Sequence, residues 1–165
     1  MKTNLDKALD YFAKIYYFVR PMNTRISVGT SSVRIKEPRD AVLWLLKIME
    51  TEGDSSHGRL FAVLSRSYPT LRPSGFSRLL SEMYRMGLVS REYNEKDSRR
   101  KVLRLTAKGE KVLKQIKAQR AELFEELFEG LTTSQRQVLM EALGVLAERS
   151  WKKAGREFTR ADKSK

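Results

Sequence analysis

The chain has 165 residues, with 33 Lys or Arg against 20 Asp or Glu, and a formal net charge of +13 at pH 7. This length predicts one domain with its own core, and the charge favours a polyanionic partner, either nucleic acid or an anionic membrane surface. The sequence contains no cysteine, which excludes disulfides, thiol nucleophiles and Cys-ligated zinc.

Few residues suit catalysis. The single histidine, His57, lies at the predicted entry to a helix, where a solvated loop or capping residue is the ordinary interpretation. No Gly-rich phosphate loop or catalytic constellation is recognisable, so we expect no enzyme activity, metal or cofactor. Charges interrupt the N-terminus too early for a signal peptide. No apolar run approaches the roughly 18 residues of a membrane span, and we expect a cytoplasmic protein.

The first predicted helix covers residues 4–20, and Pro21 closes it. Its apolar residues recur at helical spacing: Leu5, Leu9, Phe12, Ile15, Tyr16 and Val19. Residues 23–36 then alternate around a Gly-Thr-Ser-Ser centre, which indicates either a loop or a small hairpin.

A second helix is predicted from Glu37-Pro38 to about Thr51 as the central core helix. Its inward side is assigned to Ala41, Val42, Leu45, Leu46, Ile48 and Met49, with Trp44 beside them. A shorter third helix is predicted over residues 58–67. It would bury Leu60, Phe61, Val63 and Leu64.

The fourth predicted helix begins at Pro73 and ends at Gly87. Its core face is fixed by the spacing of Phe76, Leu79, Leu80 and Met83. The outward stripe consists of small hydroxyls interrupted by arginines: Ser74, Ser77, Ser81, Arg78 and Arg85. Such a stripe lets a helix approach a DNA groove closely while offering donors. The alternative is an ordinary solvated face.

Two strands, residues 88–93 and 101–105, are predicted to flank a basic tip over residues 94–100. The tip sequence NEKDSRR contains Lys96, Arg99 and Arg100. Adjacent arginines at a hairpin tip can insert a guanidinium into a narrow minor groove. The alternative is a solvated charged turn.

Thr106 is placed to cap a long helix over residues 107–129. Its apolar side comprises Val112, Leu113, Ile116, Leu123, Phe124, Leu127 and Phe128. Thr132 and Gln135 form a capping-box pattern that opens a last helix, predicted to end near Ser150. The basic tail from residue 151 is expected to be frayed or only partly helical. A membrane-surface role for this tail is the alternative, but its apolar face is thin and we expect no membrane partner.

The order of these elements resembles the MarR family of winged-helix transcriptional regulators. The likeness rests on Met86-Gly87-Leu88-Val89 with Arg91, on Asp97-Ser98-Arg99, and on Leu103 followed by Leu105-Thr106-Ala107-Lys108-Gly109. It implies a mainly helical fold with a small β-hairpin wing. Within one domain, residues 1–165, it implies a DNA-binding lobe over residues 37–106. Residues 1–36 and 107–150 would be dimerisation helices, followed by the tail, residues 151–165.

By this resemblance the protein is a homodimer whose two lobes meet successive half-sites of duplex DNA. The unpartnered stripes at Leu5, Leu9 and Phe12 and at Leu139, Leu143 and Leu146 also call for a partner surface. Arg99 would be the minor-groove arginine. Asp97 would orient it through a charge-assisted hydrogen bond, or serve only as a turn residue.

Many members of this family bind small aromatic effectors. Candidate pocket residues in this chain are Tyr11, Tyr16, Trp44 and Met49, for which plain core residues are the alternative. The sequence therefore predicts a sequence-specific duplex-DNA-binding regulator, a dimeric repressor responsive to a small molecule. The alternative is a winged-helix module that binds protein or RNA.

Overall fold

The computed structural model describes residues 7–8, 10–11, 13–14, 24–28, 31–35, 37–94 and 97–162. All six described residues before position 15 are helical, within the first predicted helix. The rest of that helix, including Tyr16 and the stripe of Leu5, Leu9 and Phe12, lies outside the described residues.

The described part of the chain contains two antiparallel hairpins and five further helices. The hairpins pair β1 (Thr24–Val28) with β2 (Ser31–Ile35) and β3 (Val89–Asn94) with β4 (Asp97–Leu105). The helices are α1 (Arg39–Thr51), α2 (His57–Ser67), α3 (Pro73–Arg85), α4 (Ala107–Phe128) and α5 (Thr133–Asp162).

The segment predicted as a loop or a hairpin is a hairpin. Thr24 pairs with Ile35 and Val28 with Ser31. Ile35 is fully buried in the main core, and β1 contacts α4. The described structure therefore contains a second hairpin in addition to the wing.

The hydrophobic core joins α1, α2, α3, the wing and the first half of α4. The four predicted core residues of α3 are all buried: Phe76, Leu79, Leu80 and Met83. In α1 the inward face is rotated relative to the prediction, since Leu43 is fully buried whereas Trp44, Leu45 and Ile48 are only partly buried. Because positions 41–46 are six apolar residues in a row, one of them a Trp, the sequence pattern does not show which side of the helix is most deeply buried.

The junction between the wing and α4 is closed by hydrogen bonds to three backbone carbonyl oxygens. The Thr106 amide donates to the Leu88 carbonyl oxygen at 3.1 Å, the Thr106 hydroxyl to Gly87 O at 2.5 Å, and Lys108 Nζ to Met86 O at 2.8 Å. The Thr106 hydroxyl also accepts from the Gly109 amide, which confirms the predicted cap. Gly87 adopts a φ of 65°, which favours glycine.

Gly109 allows the close approach on which this junction depends. A Cβ atom at Gly109 would lie 2.1 Å from the Leu88 carbonyl oxygen, a contact with backbone that cannot rotate away. The Leu-Thr-Ala-Lys-Gly sequence thus has a physical role, because its glycine lets the start of α4 pack against the backbone that follows α3.

Beyond residue 116, α4 leaves the core and meets α5. The predicted capping box is confirmed, since the Thr132 amide donates to Gln135 Oε1 at 2.9 Å and the Gln135 amide to Thr132 Oγ1 at 3.3 Å. The expected end of the last helix near Ser150 is wrong, because α5 continues to Asp162. Two contacts stabilise the helix where it passes Ser150: Trp151 is half-buried against the core, and Glu148 and Lys152 form an ion pair at 2.9 Å.

An apolar groove lies between these two helices and the N-terminal helical residues. Its volume is about 550 Å³, and ten residues line it: Ala8, Tyr11, Phe124, Leu127, Phe128, Leu131, Leu139, Ala142, Leu143 and Leu146. The C-terminal half of the predicted α4 stripe is therefore open to solvent in the single chain.

Candidate nucleic-acid interface

The outer face of α3 is the most distinctive surface of the lobe. All five residues predicted to point outward are exposed: Ser74, Ser77, Arg78, Ser81 and Arg85. Pro73 opens the helix at its first position, where a missing amide costs nothing. The opposite face is anchored by buried apolar side chains, so the exposed stripe has a fixed direction relative to the lobe.

The serine side chains are short, so this face of the helix projects little between the arginines. The Ser81 hydroxyl donates to the Ser77 carbonyl oxygen at 2.9 Å, one turn earlier on the same helix, and its oxygen still has acceptor capacity. The two arginines project above these small residues. Among the described residues neither Arg78 nor Arg85 forms an ion pair, so both guanidinium groups are available to a ligand.

One carboxylate lies within the same helix. Glu82 accepts a hydrogen bond from Arg39 Nη2, which reaches it from the start of α1. The pKa of Glu82 is lowered, first by this hydrogen bond and the charge of Arg39, and further by the charges of Arg85 and Arg78. Three cationic side chains therefore act on this single acid.

The strands of the wing are longer than predicted. β3 reaches Asn94 and β4 begins at Asp97, so the predicted tip over residues 94–100 is wrong. Asn94 pairs with Asp97 whereas Tyr93 pairs with Lys101, which leaves residues 98–100 as an irregularity in β4. A bulge of this kind redirects side chains and raises local twist, which alternation in the sequence does not reveal.

The predicted wing residues occupy this irregular stretch. Arg99 and Arg100 belong to the irregular part of β4, and Asp97 is the first residue of that strand. The side chains of all three lie outside the described part of the structure. Lys96 lies outside the described residues altogether. The proposed contact between Asp97 and Arg99 therefore stays a prediction.

Two wing residues that the sequence analysis did not single out are prominent in the structure. The Tyr93 ring is 65% exposed, and Lys101 Nζ lies 5.4 Å from its centroid. The two residues are register partners on adjacent strands. They offer a cation and an aromatic face together, and the predicted strands, residues 88–93 and 101–105, already place Tyr93 opposite Lys101.

His57 lies behind α3 rather than on its outer face. It is the first residue of α2, next to the capping residue Ser56, and its ring centroid is 4.8 Å from that of Phe76. Burial, and then the charge of Arg91, lower the pKa of the imidazole. The predicted cap position was thus one residue away from the true one.

Among the described candidate effector residues, Tyr11 lies apart from Met49 and Trp44. Met49 is fully buried in the core, and Tyr11 lines the apolar groove, whose walls include neither Met49 nor Trp44. Trp44 joins α1 to α4, with Lys117 Nζ and Arg120 Cζ each 5.3 Å from its ring centroid. Tyr16 lies outside the described residues.

The described residues include no group of three or more His, Asp or Glu side chains placed to hold a metal ion. None of their helices combines the length and the apolar character needed to cross a membrane.

Comparison by sequence gives no match to any family model or curated protein. Solved structures do match. The DNA complex of MepR from S. aureus is 17% identical, with 89% of this chain and 96% of that chain covered and a TM-score of 0.53. For the MarR family transcription regulator SP03579 the values are 21%, 92%, 93% and 0.58. For the PcaV regulator of Streptomyces coelicolor with its natural ligand they are 20%, 90%, 94% and 0.51.

These likenesses span nearly the whole of each chain, at identities that carry information on the fold alone. The order of helices, the wing and the two long C-terminal helices are those of the MarR-type winged helix. The predicted fold class is confirmed.

Proposed function

We propose that this chain, which has the fold of the MarR-family regulators, is a sequence-specific duplex-DNA-binding regulator of transcription. The outer face of α3 is the observation that carries the proposal. It presents three exposed serines and two arginines without ion-pair partners in the described structure, on a helix fixed from behind by a full hydrophobic core. A neighbour with this fold, MepR, is known in complex with DNA.

The major groove admits an α-helix, and its base edges carry the donor and acceptor pattern that distinguishes base pairs. Arg78 and Arg85 are seven residues apart, about 10 Å along the helix axis. Both guanidinium groups can therefore reach groove or phosphate acceptors from one docked position. The serine hydroxyls supply shorter-range contacts to phosphate or base edges.

The wing supplies the second contact in this proposal. Arg99 enters the adjacent minor groove, where negative potential attracts a guanidinium, and Asp97 orients it. Lys96, Arg100 and Lys101 neutralise nearby phosphates. Because the hydrogen bonds at Gly87, Leu88 and Thr106 fix the wing to α3, the two contacts keep a constant separation.

A second copy of the chain covers the apolar groove in this proposal. Large apolar side chains that line this groove stay exposed in the single chain, at 38% for Phe124, 37% for Leu143 and 47% for Leu146. Contiguous apolar surface of this kind marks an association site. A twofold dimer would place two copies of α3 on successive major grooves, about 34 Å apart.

Repression and effector response complete the proposal. A dimer seated on a promoter excludes polymerase, and the protein acts in the cytoplasm, where the chromosome lies. The effector is a small aromatic molecule that occupies the part of the groove left open beside Tyr11, among apolar walls. Its binding would alter the spacing of the two lobes.

Selection of bound fragments from random duplex DNA, followed by fluorescence anisotropy on the enriched sequence, tests DNA binding. Arg78→Ala should weaken specific binding by about 1 to 3 kcal/mol if the side chain reads a base. Arg99→Ala should reduce the slope of log affinity against log salt by about one unit. Lys47→Ala, on α1, is the matched control and should leave both quantities nearly unchanged.

A competition titration with structured RNA addresses the alternative function. If RNA displaces the selected duplex at equal concentration, or if no duplex is enriched, the proposal is wrong and a module for RNA or protein replaces it.

Sedimentation equilibrium tests the dimer separately. Leu143→Glu puts a charge into the groove, which costs too much to bury without a partner, and the chain should sediment as a single copy. Glu141→Gln on the exposed side of the same helix is the control and should leave the dimer intact. A wild-type chain that is already monomeric at micromolar concentration would contradict the dimer.

A further inference from the structure

Glu82 is the single acidic residue of α3, and it lies beside both arginines of the proposed DNA-binding face. Arg78 precedes it by four residues and Arg85 follows it by three. Residues at these spacings are neighbours on a helix surface and can form ion pairs. A free carboxylate at position 82 could therefore bind either arginine and would also repel a DNA phosphate.

In the structure this carboxylate instead binds a residue of α1. Arg39, at the first position of α1, binds it through Nη2, and both side chains are partly buried, at 26% and 31% exposure. The contact joins residues 43 positions apart in sequence. Partial burial holds the pair more firmly than a pair of fully solvated side chains on one helix.

We propose that Arg39 is a positioning residue for the DNA interface, because it holds Glu82 away from Arg78 and Arg85. The proposal rests on the proposed function. Arg39 acts through Glu82 and needs no contact with DNA. Its guanidinium satisfies the one negative charge of the recognition helix, so that both outward arginines remain unpaired and open to the duplex.

Loss of Arg39 has two consequences that act in the same direction. Glu82 becomes free to pair with Arg78 or Arg85, which withdraws a guanidinium from the interface. Its uncompensated charge also faces the phosphates. Loss of Glu82 has the opposite effect, because no acid is then left on α3. The pairing thus predicts that removing both partners restores what removing Arg39 alone destroys.

The test is a double-mutant cycle on the full chain, with affinity for the selected duplex measured by fluorescence anisotropy over a range of salt. Arg39→Ala should weaken binding about three- to fivefold, the range of one exposed ion pair, and lower the salt slope by about one unit. Glu82→Gln should bind as tightly as wild type or tighter. The double variant should return to within about twofold of wild type.

Two controls separate this role from folding and from net charge. Lys47→Ala removes one positive charge from another interhelical pair, with Glu110, and should change affinity less than Arg39→Ala does. Arg39→Lys keeps the charge and should stay within about twofold of wild type. Thermal unfolding of each variant identifies any loss of affinity caused by loss of structure.

The competing roles give different results. If the ion pair only fixes the orientation of α3, Glu82→Gln loses as much affinity as Arg39→Ala and the double variant is not restored. If Arg39 contacts DNA itself, the double variant stays as weak as Arg39→Ala. Either result overturns the proposal. Failure of the wild-type chain to bind any duplex would instead refute the proposed function.

Discussion

The two halves of α4 carry one continuous apolar stripe but lie in opposite environments. In the first half, Val112, Leu113 and Ile116 are at most 1% exposed, within the core of the lobe. In the second half, Phe124 and Leu127 are 38% and 36% exposed and line the open groove. The lobe therefore completes its core within one chain, whereas the distal helices do not. Amphipathic periodicity records that a face is buried, and it leaves open which molecule buries it.

The largest expected effect follows from emptying the core of the lobe. Phe76→Ala should lower the free energy of unfolding by about 3 to 5 kcal/mol, since Phe76 is fully buried and contacts Phe61 and His57. Leu146→Ala, in the groove, should cost less, and its cost should vary with protein concentration because the proposed second copy covers that residue. Urea unfolding at several concentrations measures both. Equal, concentration-independent losses would remove the distinction between the two regions.

A glycine pair sharpens the same distinction. Gly109→Ala should destabilise the lobe by about 2 kcal/mol, since the new methyl group would meet the Leu88 carbonyl oxygen. Gly144→Ala is the matched change in α5, where an added Cβ has no neighbour within 4 Å. It should stabilise the single chain by about 0.5 to 1 kcal/mol. Thermal unfolding of the two variants should show shifts of opposite sign.

The start of α5 offers a local test of the distal region. Thr132→Ala removes one half of the reciprocal cap with Gln135 and should cost about 1 kcal/mol. Amide hydrogen exchange should show the loss in the first turns of α5, with little change in α3. Thr133→Ala, whose side chain makes no capping bond in the described structure, is the control. Faster exchange throughout the lobe would show that the two regions unfold together.

The smallest effect concerns pH. The folded state lowers the pKa of His57 through burial and the charge of Arg91, so it favours the neutral ring. The unfolded chain takes up the proton more readily, and stability should decline as pH falls below about 6.5. His57→Gln should flatten this part of the pH profile of the unfolding midpoint. A decline that persists unchanged in the variant would assign it to carboxylates.

Much of the fold could be predicted from sequence because its signals are local. Pro73, Thr106 and the Thr132–Gln135 pair mark helix starts by their own hydrogen-bonding chemistry, and all three are confirmed. The core face of α3 follows from spacing alone, as does the exposure of the opposite side. The role of the exposed residues of α3 in binding DNA stays a prediction.

What was missed depends on contacts between distant segments. The Arg39–Glu82 pair crosses from α1 to α3, and no periodicity in either helix announces it. The extension of α5 to Asp162 depends on Trp151, which packs against the core and lies 5.6 Å from the Arg59 guanidinium. The wing turn was misplaced because a bulge breaks the alternation from which its bounds were inferred.

The three bonds at the junction of α3, the wing and α4 also bear on the entropy of recognition. Met86, Gly87 and Leu88 each accept a hydrogen bond through the carbonyl oxygen, from Lys108 or Thr106. The angle between helix and wing is thus fixed when the chain folds, and little conformational freedom remains to be lost on a ligand. Recognition by such a lobe should depend on how the nucleic acid deforms to meet a rigid surface, so flexible base steps should distinguish good sites from poor ones.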